Sequence, residues 1–178
     1  MSKSLWHDVE AGEDIPNLVN VIIEIPKWSM NKYEYDKKND IIKLDRVLSS
    51  PFHYPRDYGF IPRTLSEDND PLDALVLVTN PTYPGILVET RPVGVLQMED
   101  NGELDNKIIC VTKNDPRYNE TFDLKDIGEH YLTEISHFFN RYKDLEHKTV
   151  EIIGWKDNKV AKKIIIESME RYNEIFEK

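Results

Sequence analysis

Short segments rich in β-branched and apolar residues follow one another through the first two-thirds of the 178-residue chain. Such segments, separated by polar, Gly or Pro positions, are typical of strands with short connections. The polar stretch KKND predicts a hairpin, and the pair Asn101-Gly102 is a strong signal for another tight turn. We therefore predict strands over residues 18–25, 32–36, 41–47, 74–78, 86–98, 107–112 and 149–155.

Two later segments place apolar residues at spacings of three and four, which is the period of an amphipathic helix. The first predicted helix runs from Leu124 to Tyr142, and the second ends near Phe176. Asp157 or Asn158 is a suitable N-cap for the second helix. Many short strands followed by two helices predict a mainly β fold of the α+β class, in which a closed or nearly closed β-barrel is flanked by two long α-helices.

The chain contains no internal repeat, low-complexity tract or shift in composition, so we expect one domain over residues 1–178. Asp and Glu number 33 against 23 Lys and Arg, which gives a net charge of −10. A surface with this excess repels phosphate backbones, and general nucleic-acid binding is therefore disfavoured. A small anion would need either a local basic pocket or a bound cation.

The compartment is suggested by what the sequence lacks. Cys110 is the only cysteine, which excludes an internal disulfide and favours a reducing environment. Its neighbours in KIICV indicate a buried apolar side chain rather than a nucleophile. The N-terminus lacks the apolar core of a signal peptide, and no apolar run approaches the ~20 residues of a membrane span. We expect a cytoplasmic protein with no membrane partner.

The segment EDNDPLDAL places three aspartates, Asp68, Asp70 and Asp73, immediately before a predicted buried strand. A solvated turn is the simplest interpretation, because Asp, Asn and Pro are common turn formers. If the three carboxylates converge, however, each pair about 4 Å apart repels by roughly 4 kcal/mol at an effective dielectric near 20. Bound hard cations such as Mg²⁺, Mn²⁺ or Ca²⁺ would relieve that repulsion. An EF-hand is excluded, since the loop lacks its Gly and its final Glu.

Further acids lie elsewhere along the chain. Asp100 and Asp105 flank the predicted Asn101-Gly102 turn, where a solvated hairpin tip is the alternative. Glu24 and Glu34 lie within strand-like runs, where such residues usually point to water and alone indicate little.

Basic and aromatic residues lie close to these acids in the sequence. Lys32 and Glu34 alternate around Tyr33, so a strand would project both from one face. Individually such residues do not indicate a binding site, because a Lys side chain is usually solvated and a Tyr side chain usually packs against its neighbours. The other members of this set are Arg46, Tyr54, Tyr58, Lys107, Tyr142 and Lys143.

Taken in order, these segments resemble the soluble family I inorganic pyrophosphatases, and the length resembles their short bacterial type. The resemblance rests on VIIEIP, KYE, LDR, YPRDYGFIP, DNDPLDALVL, RPVGVLQMED, LDNK and HFFNRYKDLE. It implies an OB-like five-stranded β-barrel with flanking helices, assembled as a homohexamer. It also implies hydrolysis of pyrophosphate to two orthophosphates by a metal-activated water, with several Mg²⁺ ions per site that Mn²⁺ or other divalent ions can replace.

Carried over by motif, the resemblance assigns roles to individual residues. Asp68, Asp73 and Asp105 would hold the principal Mg²⁺, and Asp73 would be shared with a second ion. Asp70 would activate water and take its proton. Asp100 would bind further Mg²⁺ together with Asp105, while Glu24 and Glu34 would act near the metals. The residues expected to bind the two phosphoryl groups are Lys32, Arg46, Tyr58, Lys107, Tyr142 and Lys143.

Three positions depart from relatives of the bacterial type. Asn69 replaces a frequent Gly between the first two aspartates, and we expect little effect because Asn tolerates left-handed backbone geometry. Asn101 stands where an acid can occur, which would weaken an outer metal position. Arg141 stands where some hexamers have His, so the resemblance supports an oligomer more firmly than a particular interface.

Three rival functions remain open from the sequence. An OB-like nucleic-acid module would use Tyr54, Tyr58 and Phe60 for stacking, but the acidic balance argues against it. A metal-dependent phosphatase acting on nucleotides or longer polyphosphates would use the same carboxylates. A calcium-binding structural protein would account for the acids but not for the basic residues among them.

Overall fold

A computed structural model describes residues 4–177. In chain order the strands are β1 Val19–Ile25, β2 Asn31–Asp36, β3 Ile41–Val47, β4 Asp57–Phe60, β5 Asp73–Leu77, β6 Leu87–Asp100, β7 Glu103–Leu104, β8 Lys107–Thr112 and β9 Val150–Lys156. The two α-helices are α1 Glu129–Arg141 and α2 Asn158–Phe176. Short 3₁₀ turns cover Pro116–Tyr118, Leu124–Asp126 and Asp144–Glu146.

Five strands close on one another as a ring in the order β1, β4, β5, β8, β6 and back to β1. Each neighbouring pair is antiparallel except β5 and β8, which are parallel. The 14-residue β6 also pairs with β7 and β9, while β2 and β3 form a separate hairpin. This architecture, mainly β with two helices, confirms the predicted fold class.

The buried strand β5 shows why a continuous apolar run fits this fold. Ala74 and Val76 pack in the cluster that includes Ile165 of α2, whereas Leu75 and Leu77 pack in the cluster that includes Phe138 of α1. Successive side chains point to opposite faces of a strand, so both faces of β5 are covered. Cys110 of β8 is fully buried in the α2 cluster, as its sequence context predicted.

The first helix begins later than predicted. Its apolar period starts at Leu124, but residues Leu124–Asp126 form a 3₁₀ turn, and α1 starts at Glu129. Asp126 stabilises that turn, because its Oδ2 accepts hydrogen bonds from the backbone N–H groups of Phe122 and Asp123, both at 2.9 Å. The predicted N-cap of the second helix is confirmed, since the Asp157 side chain accepts from two N–H groups at 3.1 Å.

Strand β4 was not predicted, and it depends on Gly59. This residue lies opposite Ile23 of β1 and Ala74 of β5. A Cβ atom at position 59 would lie 1.9 Å from the Ile22 carbonyl oxygen, which is backbone and cannot rotate away. We expect Gly59→Ala to lower the free energy of unfolding by about 1–3 kcal/mol, as overpacking does, in urea denaturation.

The control for this prediction is Gly128→Ala, where the nearest atom to an added Cβ is a Tyr131 side-chain carbon at 3.4 Å. We expect this variant to differ from the parent protein by less than Gly59→Ala does. Equal destabilisation of the two variants would contradict the argument from close backbone approach. Within the described part of the chain, neither helix is long and apolar enough to cross a membrane.

Candidate active site

Four side chains meet where the parallel strands β5 and β8 begin. The register of these strands places Asp73 beside Lys107. The Lys107 Nζ donates to Asp73 Oδ2 at 2.5 Å, to Asp105 Oδ1 at 2.6 Å and to the Tyr58 hydroxyl at 3.0 Å. Lys107 is only 4% exposed, so one buried ammonium is shared by two carboxylates.

The pKa shifts of this group follow from burial and from the neighbouring charges. Burial raises the pKa of Asp73 to about 6, against the opposing effect of Lys107 and with a further increase from Asp105. Burial disfavours the charged form of Lys107, but Asp105 and Asp73 together hold its pKa well above the ordinary value. Burial, followed by the same two carboxylates, also raises the pKa of Tyr58. These residues therefore act on one another as a single charged cluster.

Glu24 extends the cluster from β1. It is 8% exposed, and its Oε1 accepts the backbone N–H of Tyr35 at 2.7 Å. Burial raises its pKa to about 8, and the negative charge of Asp73 adds to this increase. Glu24 is therefore not one of the strand acids that point to water, and it lies close to Asp73.

The turn before β5 carries Asp68 and Asp70. Asn69 between them adopts φ +66°, the left-handed geometry that Asn tolerates, and the Asp70 N–H donates to Asp68 Oδ1 at 3.0 Å. Burial raises the pKa of Asp68; among its neighbours, the charges of Asp70 and Asp105 act in the same direction. The Asp70 side chain is 59% exposed, forms an ion pair with Lys37 and lies at the outer edge of the cluster.

The β6–β7 hairpin brings in Asp100. Asn101 and Gly102 both have positive φ, +54° and +85°, which confirms the predicted tight turn. The Asp100 side chain is 19% exposed and forms an ion pair with Lys143, so it is not a freely solvated hairpin tip. A cavity of about 270 Å³ lies beside this turn and is lined by Asp68, Asp100, Asn101, Glu103, Leu104 and Asp105.

The β2–β3 hairpin supplies Lys32, Glu34 and Arg46. Lys32 Nζ lies 3.3 Å from Glu34 Oε2, as expected for side chains on one face of a strand. Arg46 donates to both carboxylate oxygens of Glu146, at 3.1 and 3.2 Å. The backbone N–H of Tyr35 in β2 donates to Glu24, so this hairpin packs against the acidic cluster.

Tyr142 and Lys143 follow α1. Tyr142 is 6% exposed, and burial raises its pKa. The charges of Asp100 and Asp105 raise this pKa further, whereas those of Lys107 and Arg46 lower it. The structure therefore brings the predicted residues to one region. The centre consists of the buried Glu24 and Lys107 with the partly buried Tyr58, Asp73 and Asp105, and the peripheral members are Lys32, Glu34, Arg46, Asp68, Asp70, Asp100, Tyr142 and Lys143.

Three residues that hold this region together were not predicted. Lys37 pairs with Asp70 and donates to the Asn69 carbonyl at 2.9 Å. Asp45 accepts from both Lys32 and Arg46. Glu146 binds Arg46 from 100 residues away. The position of Lys37 in the KKND turn was a weak signal, whereas nothing in the sequence links Glu146 to Arg46.

Between residues 4 and 177, no three His, Cys, Asp or Glu side chains are grouped as a metal site. The ammonium of Lys107 lies between Asp73 and Asp105, and that of Lys143 is paired with Asp100. Each of these carboxylates already has a positive partner in this arrangement.

Comparison with known proteins identifies the family. A sequence model described as inorganic pyrophosphatase matches residues 21–173, which include every predicted site residue from Glu24 to Lys143. The chain belongs to the inorganic pyrophosphatase family. Members of this family are hydrolases, and the resemblance to the soluble family I enzymes is thereby confirmed.

Relatives named inorganic pyrophosphatase occur in both archaea and bacteria. The one from Haloferax volcanii is 48% identical over 174 residues, covering 97% of this chain and 98% of the relative. The one from Geobacillus stearothermophilus is 52% identical over 157 residues, covering 88% and 95%. The crystal structure of inorganic pyrophosphatase from Thermus thermophilus has a TM-score of 0.90 at 46% identity, covering 93% of this chain and 97% of that one. The family likeness thus extends over nearly the full length in sequence and in fold.

Proposed function

We propose that this protein hydrolyses inorganic pyrophosphate to two orthophosphates in a Mg²⁺-dependent reaction. The observation that carries the proposal is the convergence of two partly buried carboxylates, Asp73 and Asp105, on the single positive charge of the buried Lys107 in a member of the inorganic pyrophosphatase family. Pyrophosphate is strongly anionic, so it needs cations around it before a nucleophile can approach. This cluster offers both the carboxylates that attract metal ions and the cationic side chains that bind phosphate.

The donor set fits Mg²⁺ chemically. Every acid of the cluster offers oxygen ligands, which hard cations prefer. The oxygens of Asp73 and Asp105 already lie 2.5 and 2.6 Å from one positive charge, the Lys107 ammonium, and Asp68 and Asp100 line the adjoining cavity. We propose that Asp68, Asp73 and Asp105 hold the principal ion. Asp100, Glu24 and Glu34 would assist with further ions, and Mn²⁺ is expected to substitute.

Bound Mg²⁺ would supply positive charge that offsets the charge of pyrophosphate and would make water more acidic. The other cations are the protein's own. Arg46 has a planar guanidinium suited to a bidentate hold on a phosphoryl group, whereas Lys32, Lys107 and Lys143 act as point charges. Their present partners, such as Glu146 for Arg46, keep these side chains in place near the cluster. The hydroxyls of Tyr58 and Tyr142 add hydrogen-bond donors at the centre.

Asp70 is the proposed proton acceptor. The oxygen of a water molecule forms a bond to one phosphorus, one of its protons passes to the Asp70 carboxylate, and the bond between that same phosphorus and the bridging oxygen breaks. The leaving phosphate takes the bridging oxygen with its electron pair and is stabilised by the cationic side chains. The exposure of Asp70 at the outer edge of the cluster lets water reach it.

The experiment is release of phosphate from pyrophosphate by the purified protein, measured with Mg²⁺, with Mn²⁺ and with a chelator, beside ATP and tripolyphosphate. Release from pyrophosphate that requires the metal is the expected result. Preference for ATP or tripolyphosphate would favour the polyphosphate phosphatase alternative. No release with any divalent ion would refute the proposal and favour a binding protein.

The remaining expectations are also proposals. We propose a cytoplasmic homohexamer of single-domain subunits, with no nucleic-acid or membrane partner. The family model spans residues 21–173, which supports one domain, and the net charge of −10 disfavours nucleic acid. Sedimentation equilibrium tests the assembly, and a mass other than that of six chains would contradict it.

A further inference from the structure

A second cavity, lined by cationic side chains, lies at the end of β5 opposite to the candidate active site. It has a volume of about 400 Å³, and Lys27, Arg56 and Arg117 line it together with one carboxylate, Asp126. Leu77, the last residue of β5, also lines it, whereas Asp73 at the first residue belongs to the acidic cluster. Asp73 and Leu77 are four residues apart along the strand, which at about 3.3 Å per residue is a distance of roughly 13 Å. The two sites are therefore distinct.

Arg56 is the central residue of this cavity. It is only 6% exposed, and its guanidinium lies over the Tyr131 ring at 4.6 Å. One of its terminal nitrogens donates to the Pro55 carbonyl, and Nη2 donates to Glu134 at 3.2 Å. Among residues 4–177 its Nε–H has no hydrogen-bond partner. A guanidinium carries five N–H donors, so this buried cation keeps donors for another acceptor.

Three carboxylates near this cavity accept hydrogen bonds from protein donors. Asp57 accepts the Lys27 N–H at 2.7 Å and both the N–H and the hydroxyl of Thr82. Asp126 accepts the backbone N–H groups of Phe122 and Asp123, which precede its 3₁₀ turn. Glu134 is 46% exposed, so water screens its attraction for Arg56. Hydrogen bonds from neutral donors leave the negative charge of Asp57 and Asp126 in place, so these carboxylates and Glu134 offset part of the positive charge of the cavity.

Burial and the neighbouring charges shift the pKa of Lys27. Burial lowers the pKa of Lys27, and the positive charge of Arg56 lowers it further, while Asp57 and Glu134 act in the opposite direction. Arg117 is mostly exposed and lies 3.1 Å from Asp115, so it can turn toward the cavity that it lines. An anion among these three groups would replace repulsion by attraction.

The start of α1 adds backbone donors to the same place. Gly128 is the N-cap of this 13-residue helix, offers no side-chain cap and lines the cavity. The first N–H groups of a helix lack partners within the helix and carry partial positive charge. An anion near Gly128 would accept from them, as phosphate groups do at other helix N-termini.

We propose that this cavity is a second binding site, separate from the acidic cluster, for a phosphate-class oxyanion. The ligand is free phosphate or the phosphate group of a small metabolite. A buried guanidinium, two further cations and an uncapped helix start offer donors from several directions, which suits a tetrahedral anion better than a planar carboxylate. The proposal does not depend on the proposed hydrolysis.

The test is hydrogen exchange of backbone amides, followed by mass spectrometry, with chelator and increasing inorganic phosphate. In the parent protein we expect phosphate to slow exchange in peptides within residues 115–133. In Arg56→Met the concentration needed for this effect should rise about tenfold or more, since charged hydrogen bonds are lost. Lys163→Met, which removes an exposed α2 charge, is the matched control and should respond like the parent protein.

Because Arg56 is buried, Lys27→Met provides a second variant at a less buried position. If Arg56→Met does not fold, the proposal is tested with Lys27→Met alone. A higher phosphate concentration needed to slow exchange in this variant than in the parent protein supports the site. Absence of slowing in the parent protein, or equal slowing in both variants and the parent, would overturn the proposal. AMP is the second probe: a stronger effect than phosphate indicates a metabolite ligand, and a weaker one indicates the free ion.

Anion binding in the acidic cluster is measured separately, from the hydrogen exchange of peptides within residues 99–107. With chelator present, we expect the parent protein to show slowing in residues 115–133 and none in residues 99–107, because the acidic cluster then lacks metal ions. Pyrophosphate hydrolysis is measured on the same variants. A protein without that activity can still show the second site, so failure of one proposal is distinguishable from failure of the other.

Discussion

Replacing Asp70 by asparagine is expected to lower kcat for pyrophosphate hydrolysis by about 10²- to 10⁴-fold, the usual contribution of a positioned general base. Asparagine keeps the size and shape of the side chain but cannot accept the proton of water at neutral pH. Phosphate release under saturating pyrophosphate and Mg²⁺ measures the effect. Activity of Asp70→Asn within a few-fold of the parent protein would exclude Asp70 as the proton acceptor.

The same substitution should leave folding and metal binding nearly unchanged. Asp70 is 59% exposed, and its ion pair with Lys37 is of the surface kind that contributes about 0–1 kcal/mol. Glu67→Gln is the matched control, because it removes an exposed carboxylate from the same turn. We expect this control to retain activity. Equal loss in both variants would mean that the overall charge of the turn matters, rather than proton transfer to Asp70.

The strands could be predicted where their pattern is local. The run ALVLV predicted a strand buried on both faces, and β5 has covered faces on both sides. Strand β4 was missed because it is short, and because Pro55 and Gly59 are residues that usually interrupt strands. Gly59 is required because the backbone of β1 approaches it closely, and this approach exists only once the ring of strands has folded. The start of α1 was misplaced because a 3₁₀ turn continues the same apolar period.

The members of the candidate site could be named from motifs, but their contacts could not. The shared ammonium of Lys107 depends on the parallel register of β5 and β8, which joins residues 34 positions apart. Burial of Glu24 depends on the β2–β3 hairpin, whose Tyr35 donates to it. Such effects are set by packing between distant segments, and an isolated strand pattern carries no signal for them.

The second cavity had no signal in the sequence. Lys27, Arg56 and Arg117 are scattered over the chain, and each stands alone among residues of other kinds. The net charge of −10 even suggested that an anion would require a bound cation or a local pocket. Folding provides such a pocket by bringing the ends of β5 and α1 together.

Replacing Lys107 by methionine is expected to destabilise the metal-free protein by about 3–5 kcal/mol, as removal of one partner of a buried ion pair does. Methionine occupies a similar volume but leaves the carboxylates of Asp73 and Asp105 without their shared positive charge. At about 2–4 °C per kcal/mol for a chain of this size, the midpoint of thermal unfolding should fall by roughly 10 °C. Calorimetry in the presence of a chelator measures it.

Magnesium should distinguish this variant from an ordinary core defect. A cation that binds the folded protein raises its stability, and in Lys107→Met it would also replace the missing charge between Asp73 and Asp105. We therefore expect Mg²⁺ to raise the unfolding midpoint more in this variant than in the parent protein. Lys113→Met, which removes a half-exposed lysine paired with Glu89, is the control and should change stability by about 1 kcal/mol or less. Equal responses to Mg²⁺ in all three proteins would contradict a metal site at these two carboxylates, whereas a selective response would place the cation where the lysine ammonium now lies.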